Sequence, residues 1–423
     1  MVRQELKDRI KILQETPMLD RIENMREVLV SAADEAQEIR RLPEWAAKEM
    51  INAGLYRFAM PAELAGEDFL AREQIETLEA TAAIDGSIGW CVSINSEINS
   101  LVLRKIPLDL AEKICDDWNM LVCSGQGYAN GPNPGREAHR EGEGWQLTYQ
   151  GSFASGCHNA TYAMVFDSVG VPDKTTGETA EASWVIPQEE FEIIDTWDMA
   201  GLRGTGSHDV RIEQYVPPEH VLPLDALDSS HLWENPTFRN PSQVPYNKGA
   251  VGLGIARGTM DEFIKLATHK TPWGSGTLLK EQPEAYIRIG EAEANYQAAR
   301  AFLIDSQEKI EEYLGPLNSG HSEPSVELAQ LGLLASTHAA QAMRHVVDII
   351  HNTAGTTASR MGNPLERKLR DAHQAAAHGG ISWRNYGNVG KTLLGEEPPQ
   401  LLTKVKRAYL TFTNKPQTEM QTP

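Results

Sequence analysis

The sequence predicts an α+β chain in three consecutive parts: an N-terminal helical domain over residues 1–118, a middle β domain over 119–232 and a C-terminal helical bundle over 233–423. Three observations predict it. Apolar residues recur at three- and four-residue spacing as far as about Trp118. The period drops to two between about Asn119 and Pro223, where Gly and Pro become frequent. From about Gly249, long stretches return to helical spacing.

In the first part, "LDRIENMREVLVSAADEAQEIRRLPEWAAKEMINAGLYRF" contains few helix breakers, with Pro43 at a helix start and Gly54 at a helix stop. "AREQIETLEATAAIDGSIGWCVSINSEINSLVLRKI" then divides into two helical stretches near Asp85 and Gly86.

In the second part, "GWQLTYQGSF" puts Trp145, Leu147 and Tyr149 on one face of a strand. "TYAMVFDSVGV", "ASWVIP" and "DVRIEQYVPPEHVLP" are further strand candidates, giving a compact domain of about six to eight strands. The connector "LDSSHLWENPTFRNPSQVPYNKG", rich in Pro, Asn and Ser, reads as an ordered loop without regular structure.

In the third part, "GAVGLGIARGTMDEFIKLATHK", "PEAYIRIGEAEANYQAARAFLIDSQEKIEEYLG" and "SVELAQLGLLASTHAAQAMRHVVDIIHNTAG" have the spacing of antiparallel bundle helices. A last helix follows in "NPLERKLRDAHQAAAHGG": Asn363 can cap it, Pro364 suits its first turn, Glu366 stands at capping-box spacing and Gly379-Gly380 can end it. His373 and His378, five residues apart, point about 140° apart around a helix, so they do not form a metal pair. His338 and His345 share a helix face without a partner carboxylate at i+4 and read as core or interface residues. Arg367, Arg370 and Asp371 read most simply as helix-surface or inter-subunit ion pairs.

Composition bounds the function. The chain has 423 residues, 41% hydrophobic, and a net charge of −20, which argues against a nucleic-acid binder with a basic face. Its four cysteines, Cys91, Cys115, Cys123 and Cys157, form no CxxC pair and no disulfide framework. The charged N-terminus lacks the apolar core of a signal peptide, and no run reaches the ~18 apolar residues of a membrane span. A soluble cytoplasmic protein is expected, with no metal site.

The most specific stretch is "TWDMAGLRGTGSHDVRIEQYVPPEHVLP". Gly201, Gly204 and Gly206 there surround Arg203, Thr205 and Ser207, and such glycines allow tight turns and close backbone approach to a ligand. Because a strand and not a helix follows, this is no dinucleotide fingerprint. With the helix–β–helix order, the stretch resembles the loop-and-strand signature of the acyl-CoA dehydrogenase superfamily. "AIDGSIGW", "GEGWQLTYQGSFASGCHNATYAMV" and "NPLERKLRDAHQAAAHGG…YGNVGKTLLG" are similar to segments of that superfamily's two-component (group D) flavin-dependent monooxygenases, in the same order and over most of the chain.

The resemblance implies a middle β-barrel or sandwich, a C-terminal four-helix bundle and a homotetramer. It also implies an oxygenase component that takes reduced FMN or FAD from a separate flavin reductase. Through a C4a-hydroperoxyflavin, such a component hydroxylates a small aromatic or heteroaromatic substrate. By motif matching, Ser155 in "FASG" would bond the flavin ring and His378 would act as acid and base on the substrate. A serine hydroxyl can accept the flavin N5–H bond, and an imidazole pKa suits deprotonation of a phenol. Trp90, Cys123, Ser124, Gly125, Gly156, Arg203, Gly204 and Thr205 are the further flavin-side candidates. Asn95 and Ser96, with Glu97 beside them, lie on a helix that faces substrate in relatives.

Two departures bear on the alternatives. Acyl-CoA dehydrogenases often carry their glutamate base where this chain has Gly379, beside His378, so a dehydrogenase would need a relocated base. Their Arg-x-x-Phe-Gly motif for FAD survives only as an echo in Lys270, Trp273 and Gly274, which favours loosely used reduced flavin. A non-catalytic flavin- or partner-binding member is the other alternative.

Overall fold

A computed structural model describes residues 2–126, 136–166, 171–177, 180, 182–223, 233–320 and 324–396. Helices α1 (Gln4–Gln14), α2 (Met18–Asn24), α3 (Arg26–Ile39), α4 (Glu44–Asn52), α5 (Ala71–Ile84), α6 (Gly86–Lys105) and α7 (Leu108–Cys115) come first. Strands β1 (Val122–Cys123), β2 (Glu137–Glu141), β3 (Gly144–Ala154), β4 (Tyr162–Val165), β5 (Ala182–Pro187), β6 (Glu192–Ile194), β7 (His208–Val216) and β8 (Val221–Pro223) follow. Helices α8 (Gln243–Ala267), α9 (Pro283–Leu314), α10 (Val326–Ala354), α11 (Pro364–Ala375) and α12 (Asn385–Leu393) complete the described chain. This is an α+β protein with an acyl-CoA dehydrogenase-like order of helices, sheets and helices.

The break at Asp85 has a clear cause. Its carboxylate caps α6, accepting from the backbone N–H of Ser87 at 2.9 Å and of Ile88 at 3.2 Å. The strands form two four-stranded sheets, ordered β1-β4-β5-β8 and β2-β3-β7-β6. Trp145, Leu147 and Tyr149 all face inward from β3, as their alternation requires. Near its end β3 loses register with β7 between Gly151 and Ala154. Phe153 there takes a left-handed φ of 69°. Such a bulge bends the strand and re-aims its side chains, leaving Phe153 exposed while Ser155 is buried.

The bundle centres on α8, which packs against α5, α9, α10 and α11. The α5 contact demands glycine: a Cβ on Gly258 would stand 2.1 Å from the Ala83 carbonyl. One apolar core therefore runs from α2–α6 into the bundle, and a second fills the space between the sheets.

Several expectations need correction. The part of the connector through residue 232 lies outside the described residues, but its later part is ordered into a 3-10 turn at Pro236–Arg239 and then α8. That helix begins at Gln243, ahead of Gly249, because Pro245 falls within its first turn, where no intrahelical N–H is needed. Asn363 caps α11 through Leu365, whereas the Glu366 carboxylate turns to Arg370 at 2.5 Å and 2.9 Å instead of closing a capping box. Asp371 is no surface residue; it is fully buried. Arg367 pairs within the chain, with Asp34 at 2.5 Å and Asp85 at 3.3 Å.

Candidate active site

A cavity of about 570 Å³ opens between α6, the end of β3, the turn after Gly201, the start of α8 and the chain beyond α11. Its wall is mostly apolar: Trp90, Ile94, Ile98 and Leu101 from α6, Phe153, Trp197 and Val244. The polar groups are few and convergent, as in small-molecule sites: Glu97, Ser124, Gln126, Ser155, Ser207, Gln374 and His378.

Ser155 begins a chain of hydroxyls whose direction is fixed. Thr205 Oγ1 lies 2.9 Å from the Leu202 carbonyl, which can only accept, so Thr205 donates. Ser207 Oγ lies 2.6 Å from Thr205 Oγ1 and must therefore donate to it. Ser155 Oγ, 2.6 Å from Ser207 Oγ, must in turn donate to Ser207. Each hydroxyl carries one proton, so Ser155 presents only lone pairs to the cavity. All three side chains are buried, which makes the polarity costly to reverse.

His378 stands across from this chain, its ring edge-on to Trp90 at a centroid distance of 5.5 Å. It is not at the C-terminus of α11, where a cation would be favoured. That helix ends at Ala375, and His378 instead caps the short turn Gly379–Ile381. Its Nδ1 accepts from the Gly380 N–H at 3.1 Å. Burial, then the charge of Lys248, pushes its pKa down to about 3. The resting imidazole is neutral, with Nδ1 occupied and the proton on Nε2.

Behind Trp90 lies a buried ion pair that spans α6 and α8. Lys248 Nζ is 2.5 Å from Glu97 Oε2 and 5.7 Å from the centre of the Trp90 ring, with both charged side chains almost wholly buried.

The other flavin-side candidates divide. Trp90 and Ser124 line the cavity, and the Ser124 hydroxyl donates to the Met164 carbonyl at 2.9 Å. Cys123 and Gly125 stand behind the wall: the thiol is fully buried and held protonated by burial, and the Gly125 carbonyl accepts from Tyr149. Gly156 packs on Asn95, where an added Cβ would meet Oδ1 at 2.5 Å. Arg203 bonds the Gln37 carbonyl, Asp198 and the Met199 carbonyl, so it holds its loop and does not reach the cavity. The loop glycines serve protein packing: a Cβ on Gly204 would stand 2.7 Å from Ala36 of α3.

Asn95 and Ser96, expected at the substrate, do not line the cavity. Asn95 Nδ2 holds the carbonyls of Val122 and Ser155, and Ser96 Oγ turns to the Leu55 carbonyl. The next residue, Glu97, is the one on the cavity wall. Ser207, Lys248, Phe153 and Trp197 were not among the candidates either; of these, Ser207 stood in the glycine loop beside Thr205, which was the available signal.

These residues fit a reduced flavin: an apolar, aromatic-walled cavity with a hydroxyl that can only accept, as a ring N–H requires. Among the described residues no cluster of three or more His, Cys, Asp and Glu could hold a metal ion, and no helix is long and apolar enough to cross a membrane.

Comparison with known proteins agrees. Residues 246–383 match the family model described as acyl-CoA dehydrogenase, C-terminal domain. The chain is 29% identical over 350 residues to an indole-3-acetate monooxygenase of Pseudomonas putida, covering 82% of this chain and 85% of that protein. It is 24% identical over 396 residues to the oxygenase component of an FADH2-dependent resorcinol hydroxylase of a Rhizobium species, covering 90% and 95%. In fold it is similar to the crystal structure of 3-HSA hydroxylase from a Rhodococcus species, with a TM-score of 0.78 at 24% identity over 92% of this chain and 99% of that one. The likeness runs through all three structural parts, and not the bundle alone: over most of its length the chain is similar to flavin-dependent monooxygenases, and its residues 246–383 to the C-terminal domain of acyl-CoA dehydrogenases.

Proposed function

We propose that the chain is the oxygenase component of a two-component monooxygenase, using reduced FMN or FAD and O2 to hydroxylate an aromatic or heteroaromatic substrate. The carrying observation is the directed chain Thr205–Ser207–Ser155, which ends in an acceptor inside an apolar cavity. The activities for which the relatives are named support the same reading. A bound reduced flavin supplies two electrons to O2, so that one oxygen atom enters the substrate and the other leaves as water.

The chain's own residues supply the setting. Ser155 would accept a hydrogen bond from the flavin ring N–H. Trp90, Phe153 and Trp197 exclude water and stack against planar ligands. His378 offers Nε2–H to an oxygen on the substrate and stabilises negative charge there. The proton of a phenol passes to imidazole only if Nδ1 releases Gly380, since that nitrogen carries the ring's one basic lone pair. A dehydrogenase reading is disfavoured by the cavity's carboxylate: Glu97 is tied to Lys248 and is a poor base.

The separate reductase and the homotetramer belong to this proposal. Exposed Trp273, Met361, Trp383, Leu393 and Leu394 on the C-terminal half supply apolar surface for subunit contacts. The test supplies chemically reduced FMN or FAD with O2 and a panel of phenols and indoles. A hydroxylated product without any reductase present supports the reading. Tightly held FAD that an acyl-CoA bleaches without oxygen would sink it.

A further inference from the structure

We propose that the buried Glu97–Lys248 pair sets the charge selectivity of the cavity, so that its substrate is an aromatic without a carboxylate. The proposal rests on the oxygenase reading and names the substrate class of that same site.

The pair is built into the two helices that form the substrate side. Glu97 follows Ile94 on α6 and precedes Ile98 and Leu101, all on the cavity wall, with Val244 of α8 opposite. Lys248 lies one turn further along α8 than Val244 and is fully buried. Its ammonium reaches Glu97 Oε2 at 2.5 Å and Ser93 Oγ at 3.3 Å, while Asn247 Nδ2 approaches the same carboxylate oxygen at 3.4 Å.

Among the described residues lining the cavity, the charged side chain is Glu97. The cation stands behind it, already committed. The lining residues beside it on α6 and α8, Ile94, Ile98, Leu101 and Val244, are apolar, and His378 is neutral and offers a single N–H. A carboxylate entering here gives up its hydration, finds no uncommitted ammonium or guanidinium among the described lining residues, and meets the negative end of the pair. An isosteric amide meets neither penalty, and its N–H groups suit a carboxylate-bearing wall. Selectivity thus comes from a repulsive element built beside the apolar one.

The arrangement also states how the preference would be reversed. Removing the Glu97 charge leaves Lys248 buried and unpaired, and an anionic ligand would then supply the missing counter-charge.

The experiment measures binding, by tryptophan fluorescence, to protein loaded with reduced FMN under anaerobic conditions. The probes are indole-3-acetamide against indole-3-acetate, and 4-hydroxyphenylacetamide against 4-hydroxyphenylacetate. Wild type is expected to bind each amide about tenfold more tightly than its carboxylate, or better. Glu97→Gln is expected to reverse the ratio, and Glu97→Gln combined with Lys248→Met to restore it. Equal or tighter binding of the carboxylates by wild type overturns the proposal, as does failure of wild type to bind either amide. Because the wild-type ratio decides, a variant that fails to fold does not shield it. The ratio is read without turnover, so the oxygenase reading stands or falls separately, on product formation with reduced flavin and O2.

Discussion

The rings of Trp90 and His378 meet edge to face at 5.5 Å, with the Lys248 ammonium 5.7 Å from the same indole. The histidine therefore shares one wall with a buried cation, and burial and that charge together keep it neutral. A depressed pKa means that the proton-free lone pair, on Nδ1, is already present at neutral pH. It is spent on Gly380, and Nε2–H is what remains for a ligand.

For His378 the expected outcome is a split between binding and turnover. His378→Ala should bind reduced FMN like wild type in an anaerobic titration but lose product by about 10²–10³-fold, the range for one removed hydrogen-bond donor. His378→Gln keeps an N–H donor and should recover part of the loss. Between pH 6 and 8, roughly the span of an ordinary histidine titration, wild-type turnover should show no limb that the Gln variant lacks. A limb near the ordinary histidine value that vanishes in His378→Gln would show a titrating base and sink the donor role.

Ser207 should matter although Ser155 precedes it as the end of the hydroxyl chain. Ser207→Ala removes the acceptor that orients Ser155, freeing its proton to turn toward the flavin and compete with the ring N–H. Reduced-flavin affinity should fall about tenfold, the scale of one hydrogen bond. The double variant Ser155→Ala with Ser207→Ala should then be no worse than Ser155→Ala alone, because both substitutions remove the same contact. Strict additivity of the two losses, measured as dissociation constants, would show that the serines act independently.

How much of this site was legible depended on sequence distance. Ser155 and His378 sit inside short motifs, so resemblance could carry them. The hydroxyl chain joins Ser155 to Ser207 across 52 positions, and the ion pair joins Glu97 to Lys248 across 151. No local spacing encodes either. The choice among Asn95, Ser96 and Glu97 is a matter of helix phase, where one residue is about 100° of rotation. On an α6 buried nearly all round, hydrophobicity does not reveal which side meets the cavity. The three parts of the fold were readable because each is a run of one period. The glycine loop was readable as a motif, but its packing was not: Gly201 meets Arg370 of α11, Gly204 meets Ala36 of α3 and Gly206 meets Arg41, all distant in sequence.

Phe153 is held in a left-handed conformation, at the bulge that aims Ser155, with its ring edge-on to Trp197 at 6.3 Å. A non-glycine residue at such a φ costs on the order of 1 kcal/mol, and strain of this kind persists where the surroundings enforce it. Phe153→Gly relieves the backbone but opens the cavity wall to water. Thermal stability should hold or rise slightly, while more of the consumed O2 leaves as hydrogen peroxide instead of product. A variant equally coupled, judged by peroxide against product, would remove Phe153 from the sealing role.

Asp371 ties α11 to the turn below the cavity: its Oδ1 accepts from the Leu202 N–H at 2.6 Å, while Oδ2 is buried with no hydrogen-bond partner among the described residues. Burial first, and then the Asp85 carboxylate at the start of α6, raises its pKa to about 7; Arg370 and Lys368 oppose this from α11 itself. Arg367 faces Asp85 from the same helix. The sign follows from proton counting. Between about pH 4, where the unfolded carboxyl titrates, and the raised folded value, the folded chain holds a proton that the unfolded chain has lost. Stability contributed by this group is therefore full below pH 4 and is lost as pH rises toward 7. Asp371→Asn keeps the carbonyl oxygen for Leu202 and cannot ionise. Its melting temperature should fall less steeply than wild type across that window and exceed it at pH 8. Asp371→Ala loses the Leu202 acceptor as well and should be destabilised at every pH, with weaker reduced-flavin binding through the displaced turn. Parallel melting curves for wild type and Asp371→Asn from pH 4 to 8 would place the carboxyl outside the titration and leave it a simple hydrogen-bond acceptor.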